Sequence, residues 1–451
     1  MGELPMVKVD KTTTFLLVID LLVVIWAFNN CDKMSMTTVA VITLITICLL
    51  IKSIININNH CLTLTSSLLL YTIATQFGLF IPYFFFGRDV LENYNDYTLR
   101  FLDSSYLLKS VILGNIAVLI FDIARRIVWS RCNKERFVTY TEQSDNKQSD
   151  SISDNSCDLK LYFMGAFMLA VVILYFAYNI LTGGMALFGT YESFMNSSAY
   201  NSSIYSYILI LFYAGTIYLA SSGKIKNHKL GWILWALLVC IFALNGNKGE
   251  FLYALLPVFG IKGLEGQKIN IKIVLVGALL VFIVIPTITS LRGVGIVNNI
   301  SNIELNYFDA FTEMGMQIRT SVYSMENLAI GRFDFLLGKS YWKPIVNIIN
   351  PFSSGTATEL IRKLYPGYGY TQVIESYINF GVCGTLAFYF IIGYMLGKFE
   401  TTYKDKLSLA YYGTITCIFI NASRNYFAFV PGQILIVTCI YLLTKYIKVR
   451  N

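Results

Sequence analysis

The chain has 451 residues, 55% of them hydrophobic and only 14% charged, with a mean hydropathy of +0.58 and a formal net charge of +8. Soluble globular domains carry nearer a quarter charged residues, so the composition excludes an ordinary soluble globule and indicates a polytopic membrane protein. Its Lys and Arg lie in small groups between apolar runs, as topology determinants do, and not along one face as a nucleic-acid surface would require.

The first apolar run, Thr13 to Phe28, follows Lys8 and Lys11 as a signal peptide would. It lacks a small-residue cleavage pattern and further spans follow, so it reads as a retained helix with its N-terminus inside. Asp20 sits in the middle of it, where a charge is functional by default, or else is held protonated by a hydrogen bond to a neighbouring helix. Further runs suited to a bilayer core of about 30 Å occur at 37–54, 61–86, 106–129, 159–181, 203–222, 230–244, 251–261, 269–288, 373–397, 406–422 and 429–446. The expected fold is therefore all-α, with about twelve transmembrane helices. Residues 1–129 hold spans 1–4, 130–158 a polar cytoplasmic linker, 159–290 spans 5–9, 291–372 a large outer loop, and 373–451 spans 10–12. Asn133 to Asp158 has no apolar periodicity and reads as disordered. With both termini cytoplasmic, roughly twenty-two Lys and Arg fall inside, among them Arg125, Arg126 and Lys406, and about thirteen outside. No internal repeat is visible, which removes the simplest sequence argument for a transporter. Nine Cys without a CxxC pair, most of them in apolar runs, point to neither a disulfide framework nor a metal site.

The runs at 230–244 and 251–261 are short for a crossing, and Asn245 to Glu250 joins them. A polar turn sunk below the surface must line a cavity or be buried in protein, which makes Lys248 and Glu250 candidates for a water-filled site; a neutralising pair at a tight turn accounts for them equally well. In the long insert, Phe311, Met314, Ile318, Val322 and Met325 recur at helical steps, an amphipathic helix with Arg319, Tyr323 and Glu326 along one edge. Glu313 falls about 120° round from Arg319 on such a helix. Arg292 opens the insert, and Arg424 lies in a short outer loop after it. Three guanidiniums from separate segments on one side of the membrane fit an anion site, because the planar fork of Arg binds phosphate oxygens in pairs and keeps its proton. Tyr323, Tyr341 and Tyr377 are among many aromatics on that face, suited to sugar stacking or simply to an interfacial belt.

Three stretches occur in order: Glu313-Met-Gly-Met-Gln-Ile-Arg319; Gly338-Lys-Ser-Tyr-Trp342 leading to Asn347-Ile-Ile-Asn-Pro351; and Gly369-Tyr-Thr-Gln-Val-Ile-Glu375-Ser-Tyr-Ile-Asn-Phe-Gly381. Together with the one large outer loop they resemble the Wzy-type O-antigen polysaccharide polymerases. Lys248 stands where that pattern leads one to expect an arginine; it keeps charge and loses bidentate geometry. The resemblance implies a GT-C-like inner-membrane glycosyltransferase whose large periplasmic loop carries amphipathic helices. It would transfer a growing glycan from undecaprenyl pyrophosphate to the non-reducing end of a new lipid-linked repeat unit at the periplasmic face. It implies no cofactor and no metal, and the lipid-linked oligosaccharide, the bilayer and a chain-length-determining co-polymerase as partners. On this reading Arg319, Arg292 and Arg424 hold pyrophosphate, Lys248, Tyr323, Tyr341 and Tyr377 line the substrate, and Glu375 or Glu313 is the base. Both His residues, His60 and His228, fall in predicted cytoplasmic loops, so a base on the outer face must come from another group. An O-antigen ligase, a flippase of lipid-linked sugars and a structural assembly subunit remain open.

Overall fold

The computed structural model describes residues 10–57, 61–91, 96–140, 151–185, 194, 196–201, 204–223, 229–244, 249–268, 277, 308–350 and 370–447. Their regular elements are helical. In chain order the longer ones are α1 Lys11–Asn29, α2 Met36–Ile57, α3 Leu64–Phe77, α4 Phe80–Phe86, α5 Tyr106–Tyr140, α6 Ser151–Leu181, α7 Tyr205–Ser221, α8 Leu230–Leu244, α9 Gly249–Leu264, α10 Asp309–Gly315, α11 Ile318–Ala329, α12 Lys339–Ile349, α13 Gln372–Thr402, α14 Lys406–Ala422 and α15 Val430–Tyr446. Among the described residues six helices are long and apolar enough to cross a membrane, and α3 with the helical turns from Phe80 to Leu91, bent by 44°, would make a seventh. Nearly all of the apolar runs predicted from sequence fall on these helices. The exception is 269–288, which lies outside the described residues apart from Gly277, as do Lys248 and Arg292.

Local chemistry sets the helix ends. Asp10 caps α1, its carboxylate accepting from Thr12 N at 2.9 Å, Thr13 N at 3.3 Å and the Thr13 hydroxyl at 2.6 Å. Those bonds, the Thr13 hydroxyl foremost, hold Asp10 below the usual carboxylate range. The polar stretch expected to be disordered is helical at both edges, since α5 runs on to Tyr140 and α6 begins at Ser151. An apolar span has already met the cost of nucleation, so polar residues at its end extend it one hydrogen bond at a time.

The chain forms two compact units built from non-contiguous segments. One comprises Met1–Glu135, Phe311–Thr401 and Phe419–Gly432. Within it α5 is the most enclosed span. Helix α13 lies on α5 through Gly393 and Gly397: a Cβ at Gly393 would stand 2.5 Å from the Phe121 carbonyl oxygen, and one at Gly397 3.2 Å from Arg125 Cα. Small residues four apart let two backbones approach where apolar burial alone gives little drive. The mid-span Asp20 accepts a hydrogen bond from Thr46 at 2.8 Å, so α1 is tied to α2 by the interhelical bond that was one of its two sequence readings. The other unit comprises Arg136–Ala310, Thr402–Ile418 and Gln433–Asn451. Inside it α6 and α7 meet at Gly165 and Gly215, and Lys406 pairs with Asp158 at 2.6 Å.

Candidate functional site

Two of the sequence islands, Gly338-Lys-Ser-Tyr-Trp and Glu375-Ser-Tyr-Ile-Asn-Phe-Gly, dock on each other. Thr371 starts α13, its carbonyl accepting from Glu375 N at 3.0 Å and its hydroxyl from Ile374 N at 3.3 Å. Eight residues into the helix the backbone breaks at Phe380 (φ −143°, ψ 22°) and Gly381 (φ 64°, ψ −152°). Only glycine adopts the latter conformation without strain. At the break the Ile378 and Asn379 carbonyls accept from Leu336 N at 2.9 Å and Leu337 N at 3.2 Å. The Asn379 side chain completes the joint. Its Oδ1 accepts from Gly338 N at 2.8 Å, while its Nδ2 donates to Ser340 Oγ and to the Glu375 carbonyl, each at 2.7 Å. Leu337 and Gly338 both take positive φ, 48° and 84°, to turn the chain into α12.

Glu375 points into the interior of this joint and is fully buried. Its Oε2 accepts from Phe427 N at 2.9 Å, in the helical turn Phe427–Phe429 that leads from the Arg424 loop to α15. The Ser340 hydroxyl faces the same carboxylate. Tyr341 is packed beside it, its ring stacked on Phe388 at 5.3 Å and edge-on to Phe427 at 5.1 Å, with its hydroxyl enclosed. Burial first, and the Glu375 carboxylate second, push this phenol well above its ordinary value, so it stays neutral.

A second joint carries the basic edge. The predicted continuous amphipathic helix is in fact two, α10 and α11, broken at Met316 and Gln317. The break has a steric cause. Gly315 abuts the α3–α4 bend so tightly that a Cβ there would lie 2.0 Å from Leu79 N, and one on Gly78 would lie 2.5 Å from the Phe311 carbonyl oxygen. The 120° relation between Glu313 and Arg319 therefore does not hold, because the two stand on different helices. The apolar stripe is buried through Ile318, Val322 and Met325, and Arg319 is left half-buried at the start of α11. Further along that edge Tyr323 lies edge-on to Phe101 and Glu326 accepts from the Ser104 hydroxyl. On the buried side, Ser324 shares a hydrogen bond with the Tyr370 hydroxyl, and the Tyr370 ring stacks on Tyr426 at 5.3 Å. Tyr426 is two residues past the half-buried Arg424. A short chain of contacts thus links the helix of Arg319 to the loop of Arg424.

Of the residues singled out from sequence, Glu313, Arg319, Tyr323, Tyr341, Glu375, Tyr377 and Arg424 all belong to one compact unit. Tyr341 is not placed to stack on a sugar, because Phe388 and Phe427 occupy its ring. Tyr377 turns away from Glu375 toward Phe28 and Phe335, at 6.1 and 6.4 Å. Sequence reasoning missed Asn379, Ser340, Ser324 and the backbone of Phe427; the signal available was that Asn379 and Ser340 stood inside islands already noted. It also took Arg125 and Arg126 for loop charges, and both are buried. Arg125 pairs with Asp122 and donates to Ser66 at 2.7 Å; Arg126 donates to Ser53 at 2.8 Å and to the Asp10 carbonyl at 2.7 Å. Near them Glu400 accepts from Thr65 N at 2.9 Å and Trp129 Nε1 at 2.7 Å. Charges inside a membrane protein persist when they are paired and hydrogen-bonded in this way.

No solved structure matches the chain. Among characterised proteins, Protein CapE of Staphylococcus aureus is 26% identical over 377 residues, covering 82% of this chain and 81% of that protein. The family model for the O-antigen polysaccharide polymerase Wzy matches residues 12–451, nearly the whole length, and the chain belongs to that family.

Proposed function

We propose that this integral membrane protein polymerises oligosaccharide repeat units carried on undecaprenyl pyrophosphate, at the periplasmic face of the bacterial inner (plasma) membrane. In the reaction the acceptor hydroxyl of a new lipid-linked unit forms a bond to the anomeric carbon of the growing glycan. The bond from that carbon to the pyrophosphate oxygen breaks, undecaprenyl pyrophosphate leaves, and the hydroxyl proton passes to a base. Arg319, Arg424 and Arg292 stabilise the departing pyrophosphate, with Lys248 as a further cation and Tyr323 and Tyr377 along the sugar path. A co-polymerase that sets chain length is a partner consistent with this chemistry.

The observation that carries the reading is the family match along nearly the whole chain. The arrangement around the arginines adds to it: Arg319 and Arg424 sit half-buried on elements joined through Ser324, Tyr370 and Tyr426. Of the two residues, Glu313 is half-buried on α10 with its Oε2 enclosed, whereas Glu375 is fully buried and bonded to Phe427 N. A base must come within hydrogen-bond reach of the proton it takes. We therefore assign the base to Glu313, and to Glu375 the positioning of the turn that follows Arg424.

Purified protein reconstituted with lipid-linked repeat units tests the function. A ladder of lengthening glycans supports polymerisation. Translocation without a new linkage would instead make it a flippase, and transfer of preformed glycan to another lipid acceptor a ligase.

A further inference from the structure

Helix α12 has three sides of different chemistry. Ser340 and Pro344 are buried against the protein, and Tyr341 reaches in toward Glu375. Next round the helix come Trp342, Ile345 and Ile349, all exposed, Ile349 at 80%. The third side carries Lys339, Lys343, Asn347 and Asn350. An exposed apolar stripe rimmed by polar residues marks a protein or membrane interaction surface. A helix with an apolar stripe, a basic edge and a Trp is built to lie flat at a bilayer surface.

The surroundings identify what covers the stripe. Gly338 is flanked by Phe380 and Trp342; a Cβ there would stand 3.1 Å from Phe380 Cζ and 3.9 Å from Trp342 Cδ1. Phe380 is half exposed and marks the break in α13. Beyond the break, Cys383, Ala387 and Ile391 form an exposed line at four-residue steps along a helix apolar enough to span a membrane. From Gly381 to Thr402 that helix covers about 33 Å at about 1.5 Å per residue, close to a hydrocarbon core. The apolar side of α12 therefore adjoins, through Trp342 and Phe380 at the Gly381 break, the end of a membrane-spanning helix that carries an exposed stripe.

We propose that α12 is an interfacial helix that binds an anionic phospholipid surface: Trp342, Ile345 and Ile349 enter the headgroup–acyl boundary, and Lys339 and Lys343 contact lipid phosphates. The Asn379 and Gly338 bonds fix its depth relative to α13, so the membrane surface sets the height of the Tyr341–Glu375 joint. This holds whatever reaction the protein performs.

The test uses the full chain in nanodiscs containing phosphatidylglycerol, reading the Trp342 signal as the difference between the native protein and Trp342→Phe. The expected result is strong loss of that emission with lipids brominated near the headgroup, weak loss with lipids brominated at the acyl ends, and poor quenching by aqueous iodide. Quenching by iodide alone would overturn the proposal, because the helix would stand in water. Quenching by deep bromines alone, or by neither reagent, would also overturn it, placing Trp342 in the bilayer core or beneath protein. Lysines at an anionic surface are each worth about fivefold. Lys339→Gln with Lys343→Gln should then lower the preference for phosphatidylglycerol over phosphatidylcholine, measured by lipid retention in native mass spectrometry, by about twenty-five-fold. An unchanged preference would remove the lysines from the contact and contradict the proposal.

Discussion

Glu375 reaches 52 positions along the chain to accept the Phe427 N–H at 2.9 Å, and so fastens the turn that follows Arg424 to a broken membrane helix. A buried carboxylate that accepts a backbone N–H holds geometry in a way that a neutral amide oxygen can imitate. Glu375→Gln should keep that bond and retain most of the polymer-forming activity. Glu375→Ala should leave the N–H unsatisfied, at about 1–3 kcal/mol, and lose activity with it. Glycan ladders from the two variants check this, and a Gln variant as inactive as Ala would give Glu375 a proton-transfer role instead.

Asn379 should be among the most sensitive side chains outside the arginines. Its amide serves Gly338 N, Ser340 Oγ and the Glu375 carbonyl at once. Asn379→Leu should lower stability by about 3 kcal/mol, since several buried polar groups lose a partner together. Thermal unfolding in detergent measures it. In a double-mutant cycle with Ser340→Ala, a coupling of about 1 kcal/mol is expected, because the two side chains touch.

Two glycines should respond in opposite ways. Gly315→Ala drives a Cβ into Leu79 N, a backbone atom that cannot swing aside, and should shift α11 with Arg319. A loss of about 3 kcal/mol or failure to accumulate is expected. Gly432→Ala meets nothing within 4 Å inside helix α15 and should be neutral or stabilising by up to about 1 kcal/mol. Expression level and melting temperature of both variants decide the matter.

Cys31, buried between α1 and α2, offers a pH-dependent check. Burial, and then Asp32, push its thiol up to about 11, with Lys109 opposing. Because the neutral thiol is favoured, only about a thousandth is thiolate at pH 8. In a variant retaining Cys31 alone, alkylation should be slow at pH 8 and rise about tenfold per pH unit up to about pH 10. Mass spectrometry follows the rate, and a fast, flat profile would contradict the burial.

The membrane-spanning helices were legible because a run of apolar residues long enough to cross a bilayer has few other uses; α1, α2, α5 and α6 follow from it directly. The broken α13 was not legible, since Phe380 and Gly381 sit in an apolar run whose hydropathy does not register a reversal of φ. The islands around Ser340 and Glu375 were visible as motifs, yet their docking depends on bonds between Gly338 and Asn379, 41 positions apart, that no periodicity encodes. Arg125 and Arg126 misled for a related reason. Charge at the end of a span reads as a topology signal, and only Asp122, Ser66, Ser53 and the Asp10 carbonyl reveal that these guanidiniums are enclosed.

In the proposed function, guanidiniums from separate segments grip a polyprenyl diphosphate. The most direct test is the glycan ladder formed by purified protein from lipid-linked repeat units after Arg319→Ala and Arg424→Ala, each compared with its Lys variant. A loss of about 100-fold or more is expected for each Ala variant, as when a preorganised donor to developing charge is removed, with partial recovery by Lys. Full-length ladders at undiminished rate from both Ala variants would contradict it.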